Sequence, residues 1–302
     1  MESELTVVGL GEALWDMLPS GRVLGGAPLN VACHADQLLS RVGGQALVAS
    51  RVGQDALGDD VVRELKRRGM EIAAVQRDAR HPTGTVEVTL VKNQPTYSFA
   101  TDIAWDHLEF TADWAALAAR CDAVCFGTLA QRSPKSRAAI WKFLDAAPQA
   151  LRLFDVNLRQ AFYDRECIVE SCRRATIVKL NDQELDTIAQ MLKLPAGIRQ
   201  AQLTHLRERF QLDAVVFTRG EQGTLLVHRD GVEDPQPVRH SPAANADAVG
   251  AGDACTAAIL VGRLLKWQPA KTAKLANQMG AFVAAQSGAT PELPAELVSA
   301  VA

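Results

Sequence analysis

The stretch ADAVGAGDAC, residues 246–255, places Asp253 directly after Gly250, Ala251 and Gly252 and just ahead of the apolar run CTAAILVGRLL. Small residues followed by apolar ones read as the start of a buried helix. The glycines then fall where several backbone N–H groups lack helical partners and the positive end of the helix dipole lies behind them. That arrangement is an anion hole. An acid at its mouth is stabilised by the dipole and can take the proton of a hydroxyl attacking phosphorus. A first-turn acid with no ligand accounts for the same residues, and this stretch alone does not separate the two.

Two further stretches carry polar groups at turns. GGAPLNVA (25–32) sets two glycines before a helix pattern, with Pro28 near the first turn, where its missing N–H costs nothing. Asn30 would lie in that turn, able to donate and to accept, as the hydroxyls of a neutral polyol require; a capped helix start explains it equally well. GLGEAL (9–14) opens like a dinucleotide fingerprint, but Leu14 stands where the third glycine should be, and EALWDMLP continues as an extended apolar run. A nicotinamide site is not expected. No GxxxxGK[ST] phosphate loop occurs.

These residues need elements to hold them. Apolar, β-branched runs at 5–11, 45–50, 122–127, 151–157, 175–181 and 213–220 predict buried strands, and helix patterns at 27–39 and 56–68 fall between them. In the second helix Leu57, Val61 and Leu65 recur along one face and Gly69 supplies the stop. The alternation predicts an α/β fold, a doubly wound and mostly parallel sheet covered on both faces. TGTVEVTLV (83–91) departs from it: Val86, Val88 and Leu90 alternate with Thr85, Glu87 and Thr89, a strand with one wet face. With a turn at NQP (93–95) and a second alternating run at 96–100, it predicts an antiparallel hairpin outside the main sheet, an edge elaboration or a flap over a site.

Ligands of open parallel sheets sit beyond the carboxyl ends of the strands. Those ends are polar in succession: Gln131 and Arg132, then Asp155, Asn157 and Arg159, then Asn181, Asp182 and Glu184, then Thr218, Arg219 and Gly220. Four such ends on one rim predict a long, polar, anion-tolerant cleft.

Composition removes other classes. A chain of 302 residues, 48% hydrophobic, buries a large core, and a net charge of −3 gives no reason to expect nucleic acid. The densest basic cluster, RELKRRG (63–69), reads as a solvated helix end. The six cysteines form no CxxC pair and have no histidine at metal-ligand spacing, and four of them fall within apolar or helix-like runs where a reduced thiol packs as a small hydrophobe. MESELTVVGLG has neither the basic start nor the apolar core of a signal peptide, and no run approaches the ~18 apolar residues of a membrane span. A soluble, cytoplasmic protein without nucleic-acid or membrane partners is the expectation.

DAVGAGD (247–253) resembles the C-terminal signature of the ribokinase-like (pfkB) carbohydrate kinases, D-T-x-G-A-G-D, and GGAPLNVA is similar to their N-terminal Gly-Gly signature. FDVNLR (154–159), KLNDQE (179–184), TRGEQG (218–223) and AN (276–277) follow in the family's order, so the resemblance spans essentially the whole chain. GEALWDMLP and GTLAQRS (127–133) look most like the fructokinase branch. The resemblance implies a single ribokinase-like domain over 1–302 with a small β lid from segments near 12–24 and 83–103. It implies an ATP-dependent kinase phosphorylating a sugar hydroxymethyl, fructose being the favoured substrate. Another kinase of the family, for 2-keto-3-deoxygluconate, ribose or a nucleoside, and a weakly catalytic sugar-binding regulator are the alternatives. For an acidic sugar, Arg159 and Arg132 are the cations on hand.

By the same resemblance Asp253 is the catalytic base, and Gly250, Ala251 and Gly252 form the anion hole. Asp16, Gly26, Asn30, Gln131, Asn157 and Arg159 are the implied sugar contacts. Asn181, Glu184, Thr218, Gly220, Gly223 and Asn277 fall on the nucleotide side, with Glu184 ordering Mg²⁺ through water and Asp247 a candidate ligand for K⁺. The exposed face of the lid is a candidate homodimer surface. Ala248 stands where the signature has Thr, which directs attention to ion dependence.

Overall fold

Short apolar runs bounded by glycine or polar residues become strands in the computed structural model, which describes residues 4–18, 21–91, 94–243 and 245–301. In chain order the strands are β1 (Thr6–Leu10), β2 (Leu14–Leu18), β3 (Gly21–Gly25), β4 (Gln45–Gly53), β5 (Val75–Asp78), β6 (Gly84–Val91) and β7 (Gln94–Phe99). They continue as β8 (Ala123–Gly127), β9 (Leu151–Asp155), β10 (Ile177–Asn181), β11 (Ala214–Thr218), β12 (Thr224–His228) and β13 (Gly231–Glu233). The helices are α1 (Ala27–Leu39), α2 (Ala56–Arg67), α3 (Ala112–Arg120), α4 (Pro134–Asp145) and α5 (Arg165–Arg174). After them come α6 (Asp182–Leu192), α7 (Arg199–Arg209), α8 (Ala251–Leu264), α9 (Pro269–Ala284) and α10 (Ala295–Ser299).

Nine strands form the main sheet in the order β13-β12-β11-β10-β9-β8-β1-β4-β5. From β5 to β11 every pairing is parallel, whereas β12 and β13 return antiparallel at one edge. Successive side chains of a strand point to opposite faces. Val7 and Val8 accordingly enter different cores. One core packs Trp114, Phe126, Phe143, Phe154 and Leu206 beneath α3, α4 and α7. The other packs Leu29, Leu38, Val61, Leu260 and Met279 beneath α1, α2, α8 and α9. All six cysteines are buried free thiols.

The chain passes from β1 to β4 on one side and later to β8 on the other, so a switch point of strand order lies at the carboxyl end of β1. A second, four-stranded sheet, β3-β2-β6-β7, projects from that end. Here β2 pairs antiparallel with β3 and parallel with β6, and β6 with β7 antiparallel. Val86 is buried while Glu87 is exposed, the one-sided pattern expected of the hairpin. Asn93 of the expected turn lies outside the described residues. The Trp15 indole donates to the Leu57 carbonyl at 3.0 Å and Arg22 pairs with Asp60, fastening this sheet to α2.

Among the described residues no helix is long and apolar enough to cross a membrane.

Candidate active site

Asp253 stands in the first turn of α8, whose N-cap, Gly250, has φ 80°. Glycine reaches that conformation without steric cost. It also lets the chain pass close to its neighbour, since a Cβ at 250 would stand 2.2 Å from the Ala289 carbonyl oxygen. α1 begins opposite, capped by Gly26 at φ 110°. From its first turn Asn30 donates through Nδ2 to Asp253 Oδ2 at 2.8 Å, joining two signatures 223 residues apart. Burial pushes the Asp253 carboxyl up to about 6, helped by the charge of Asp155 and opposed by Asn30, Lys179 and Arg159. Such a group is ionised at neutral pH yet more basic than an ordinary aspartate, which suits a general base.

A buried ion pair lies under the helix mouth. Lys179 Nζ donates to both oxygens of Asp155, at 3.0 and 2.8 Å, and Thr256 Oγ1 donates to Asp155 Oδ2 at 3.0 Å. Burial opposes the ammonium charge, but Asp155 and Glu184 outweigh it and hold the lysine protonated. A Cβ on Gly252 would stand 3.2 Å from Lys179 Nζ, so the glycine seats α8 directly on that cation. The helix N-terminus and the ammonium add in sign, and both favour an anion there.

Two further acids, Asp16 and Glu12, share the electrostatic surroundings of Asp253 and Arg159. Asp16, on β2, is half-buried; burial lifts it to about 6 while Arg159 pulls it down. Glu12, just past β1, is 3% exposed, and its Oε1 accepts the Ala27 N–H at 3.2 Å while Oε2 has no partner. Burial pushes Glu12 to about 7, with the charge of Asp253 adding to the effect. The exposed Arg159 is the cation that all three acids, Glu12, Asp16 and Asp253, feel. Asn157 lies beside it, half-buried with φ 37°.

After β10, Asn181 and Glu184 form a reciprocal cap on α6. Asn181 Oδ1 accepts the Glu184 N–H at 3.0 Å, and Glu184 Oε2 accepts the Asn181 N–H at 2.8 Å. Glu184 Oε1 accepts the Leu158 N–H at 3.1 Å. Each carboxylate oxygen keeps a second lone pair, so this acid fits a metal through the metal's water rather than as a direct ligand. Burial pushes its pKa up, against the pull of Lys179. Thr218 ends β11, and Gly220 and Gly223, both at positive φ, turn the chain into β12. Asn277 braces this turn from α9: its Oδ1 accepts the Thr224 N–H at 2.7 Å and its Nδ2 donates to the Pro235 and Gln236 carbonyls. Asp247 accepts backbone N–H groups from Val249 and Gly288, at 3.1 and 3.2 Å, tying the signature loop to the chain after α9.

The structure brings Asp16, Gly26, Asn30, Asn157, Arg159 and Asp253 to one end of the sheet. Gln131 also follows the carboxyl end of a strand, β8, but its side chain is engaged elsewhere. That side chain is fully buried, donates to the Gly127 carbonyl and Ser171, and accepts the Trp141 indole N–H at 2.8 Å. Its amide pins α4 and α5 to the end of β8, which corrects the expectation of a sugar contact. Arg132 is also consumed, in a bidentate pair with Asp106 at 2.7 and 2.8 Å and stacked over Trp105. Sequence reasoning passed over Glu12, Lys179 and the partnership of Asp155. The signal for Lys179 was a lone cation inside the apolar strand IVKLN.

A doubly wound sheet whose switch point faces a helix N-terminus and an asparagine-held aspartate defines an enzyme that handles an anion and a hydroxyl together, in a ribokinase-like fold. The profile of the pfkB family carbohydrate kinases matches residues 21–296. The chain belongs to that family and is an ATP-dependent carbohydrate kinase. It is 30% identical to a fructokinase of Klebsiella pneumoniae, covering 94% of this chain and 95% of that one. A sugar kinase of Pyrococcus horikoshii in complex with ATP matches with a TM-score of 0.78 at 25% identity, over 99% of this chain and all of the other. A fructokinase double mutant of Vibrio cholerae, bound to fructose, ADP and potassium ion, matches along the full length of both chains with a TM-score of 0.82 at 22% identity. The aminoimidazole riboside kinase of Salmonella enterica matches with a TM-score of 0.78 at 22% identity, over 98% of this chain and all of that one.

Proposed function

We propose that the enzyme is a cytoplasmic fructokinase, transferring the γ-phosphoryl group of ATP to a hydroxymethyl group of fructose. The contact between Asn30 and Asp253 carries this reading. It fixes a carboxylate beside a helix N-terminus, where a hydroxyl and a phosphoryl group can meet. Asp16, Gly26, Asn30, Asn157 and Arg159 hold the sugar, and Asp253 accepts the proton of the attacking hydroxyl. Phosphoryl transfer has a loose transition state, so positioning and charge stabilisation supply most of the catalysis. Gly250, Ala251 and Gly252, backed by Lys179, stabilise the transferring oxygens. Thr218, Gly220 and Gly223 receive the nucleotide, and Asn181 and Glu184 order the waters of Mg²⁺. When bound, Mg²⁺ neutralises charge on the triphosphate. Asp247 is the proposed anchor of a K⁺ ion beside the signature loop.

A second reading has its own observation. Arg159 is an exposed cation set among the sugar-side acids, which suits an acidic sugar such as 2-keto-3-deoxygluconate. A panel at saturating MgATP separates the two: fructose should give the highest kcat/KM, above ribose, 2-keto-3-deoxygluconate and aminoimidazole riboside. A higher value for the keto-acid would replace the first reading with the second.

A further inference from the structure

The kinase reading leaves unused a histidine pair at the base of the four-stranded sheet. His81 lies three residues before β6, Asp102 three residues after β7, and His107 ends a short 3₁₀ turn, Ala104–His107. Ligand-capable atoms of these three side chains all lie within 4.8 Å of one another. His107 Nε2 is 2.8 Å from Asp102 Oδ1, and His81 Nε2 is 3.8 Å from the same oxygen. The two imidazoles stack with centroids 3.5 Å apart and planes 12° off parallel.

The orientation of His81 is set from behind. Its Nδ1 lies 3.1 Å from Asp78 Oδ2, and Asp78 is itself buried and held by Arg51 at 2.7 Å and by the N–H groups of Arg80 and His81. A carboxylate on Nδ1 keeps the proton there and leaves Nε2 with its lone pair free, the carboxylate–histidine arrangement that orients metal-ligating imidazoles. That lone pair faces another acceptor, Asp102 Oδ1, at a distance too long for a hydrogen bond. A cation between them satisfies both.

We propose that His81, Asp102 and His107 form a binding site for one divalent transition-metal ion of the zinc type. Two imidazoles and one carboxylate are the donor set of Zn²⁺ and its neighbours rather than of Mg²⁺ or Ca²⁺, which prefer oxygen. Metal–ligand bonds of about 2.0–2.2 Å require the three atoms to draw together and, because an imidazole binds a metal in its ring plane, one of the stacked rings to turn out of parallel. The Asp102 side chain, 78% exposed, can make that approach freely, and its exposed side leaves room for water in the remaining position. On binding, the metal replaces the hydrogen bond between His107 and Asp102, and the His107 proton resides on Nδ1. Because the ligands precede and follow the β6–β7 hairpin, the ion ties the base of that hairpin to the main body.

The test is zinc uptake by chelator-stripped enzyme, read as competition with a chromophoric chelator and as metal content after dialysis. One equivalent is expected at micromolar affinity or better. H81Q and H107Q should each weaken it at least ~10-fold, and D78N, which leaves all three ligands in place but loosens the hold on the His81 ring along with the Arg51 pair, by ~10–100-fold. A control carrying H205Q and H240Q should retain the full equivalent. Circular-dichroism melts establish that each variant is folded. Failure of the wild-type chain to take up one equivalent would overturn the site, as would uptake unchanged in H81Q and H107Q or abolished in the control.

Discussion

Asp253 and Glu12 are both acids pushed upward by burial, and they lead to different expectations. Asp253 must be ionised to accept a proton, so kcat/KM should fall below about pH 6, where the carboxyl takes up a proton. Asp253→Asn preserves the shape and removes the acceptor; kcat should drop at least ~10²-fold and the acid limb should vanish from what remains. Turnover near the wild-type value would remove Asp253 from the base role. Glu12 is read through stability. Its folded value, about 7, exceeds the ordinary 4.5, so the stability it contributes is present below the ordinary value and is lost as pH rises through 7. At pH 8 an ionised Glu12 costs the fold about 3 kcal/mol. Gln at this position still accepts the Ala27 N–H and carries no charge. Glu12→Gln should therefore melt above wild type at pH 8 and lose that advantage at pH 5, as followed by thermal denaturation.

At the scale of elements, Asp155 and Lys179 are register partners on adjacent parallel strands, β9 and β10. Removing one member of such a pair leaves a buried charge without its counterpart. Lys179→Met should cost about 3–5 kcal/mol of stability, and adding Asp155→Asn should recover much of it. Equilibrium denaturation of the three variants measures both effects. This pair also shows why some of the site was hidden in the sequence. A motif announces residues that share a turn, as Asn30 and Asp253 do with their glycines. A contact across strands depends on register, which no local pattern supplies. Gln131 shows the converse: its place after a strand suggested the cleft, but the 3₁₀ turn at Leu129–Gln131 swings its amide inward to Ser171 and Trp141. Among the elements, the buried parallel strands were legible as continuous apolar runs, and α2 as apolar periodicity ended by Gly69. The runs that became β3, β5 and β13 are three to five residues long and half-buried or exposed over much of their length, too short and too polar to stand out. β12 was obscured because its TLLVH follows the glycine turn after β11 so closely.

At the scale of the whole molecule, the four-stranded sheet and the main sheet meet around the acids Glu12, Asp16 and Asp253. β2 carries Asp16 out from the end of β1, and β3 returns the chain to Gly26 and α1, so this sheet and the proposed sugar site share residues. Any movement of the sheet therefore moves part of that proposed site. Among the described residues its polar fastening to α2 includes the Trp15 hydrogen bond to Leu57 and the Arg22–Asp60 pair, and within the sheet the Arg22 guanidinium lies 4.8 Å from the Trp15 ring centroid. A closed lid excludes water from a transferring phosphoryl group and completes the substrate contacts. Loosening these contacts with Trp15→Phe and Arg22→Ala together should spare the buried catalytic groups while weakening closure. The sugar KM should rise about 3–10-fold, and ATP hydrolysis per sugar phosphorylated should increase, because water competes better in an open site. A coupled assay for ADP, run beside direct measurement of sugar phosphate, reads both quantities. An unchanged KM with unchanged coupling would mean that the four-stranded sheet does not gate the reaction.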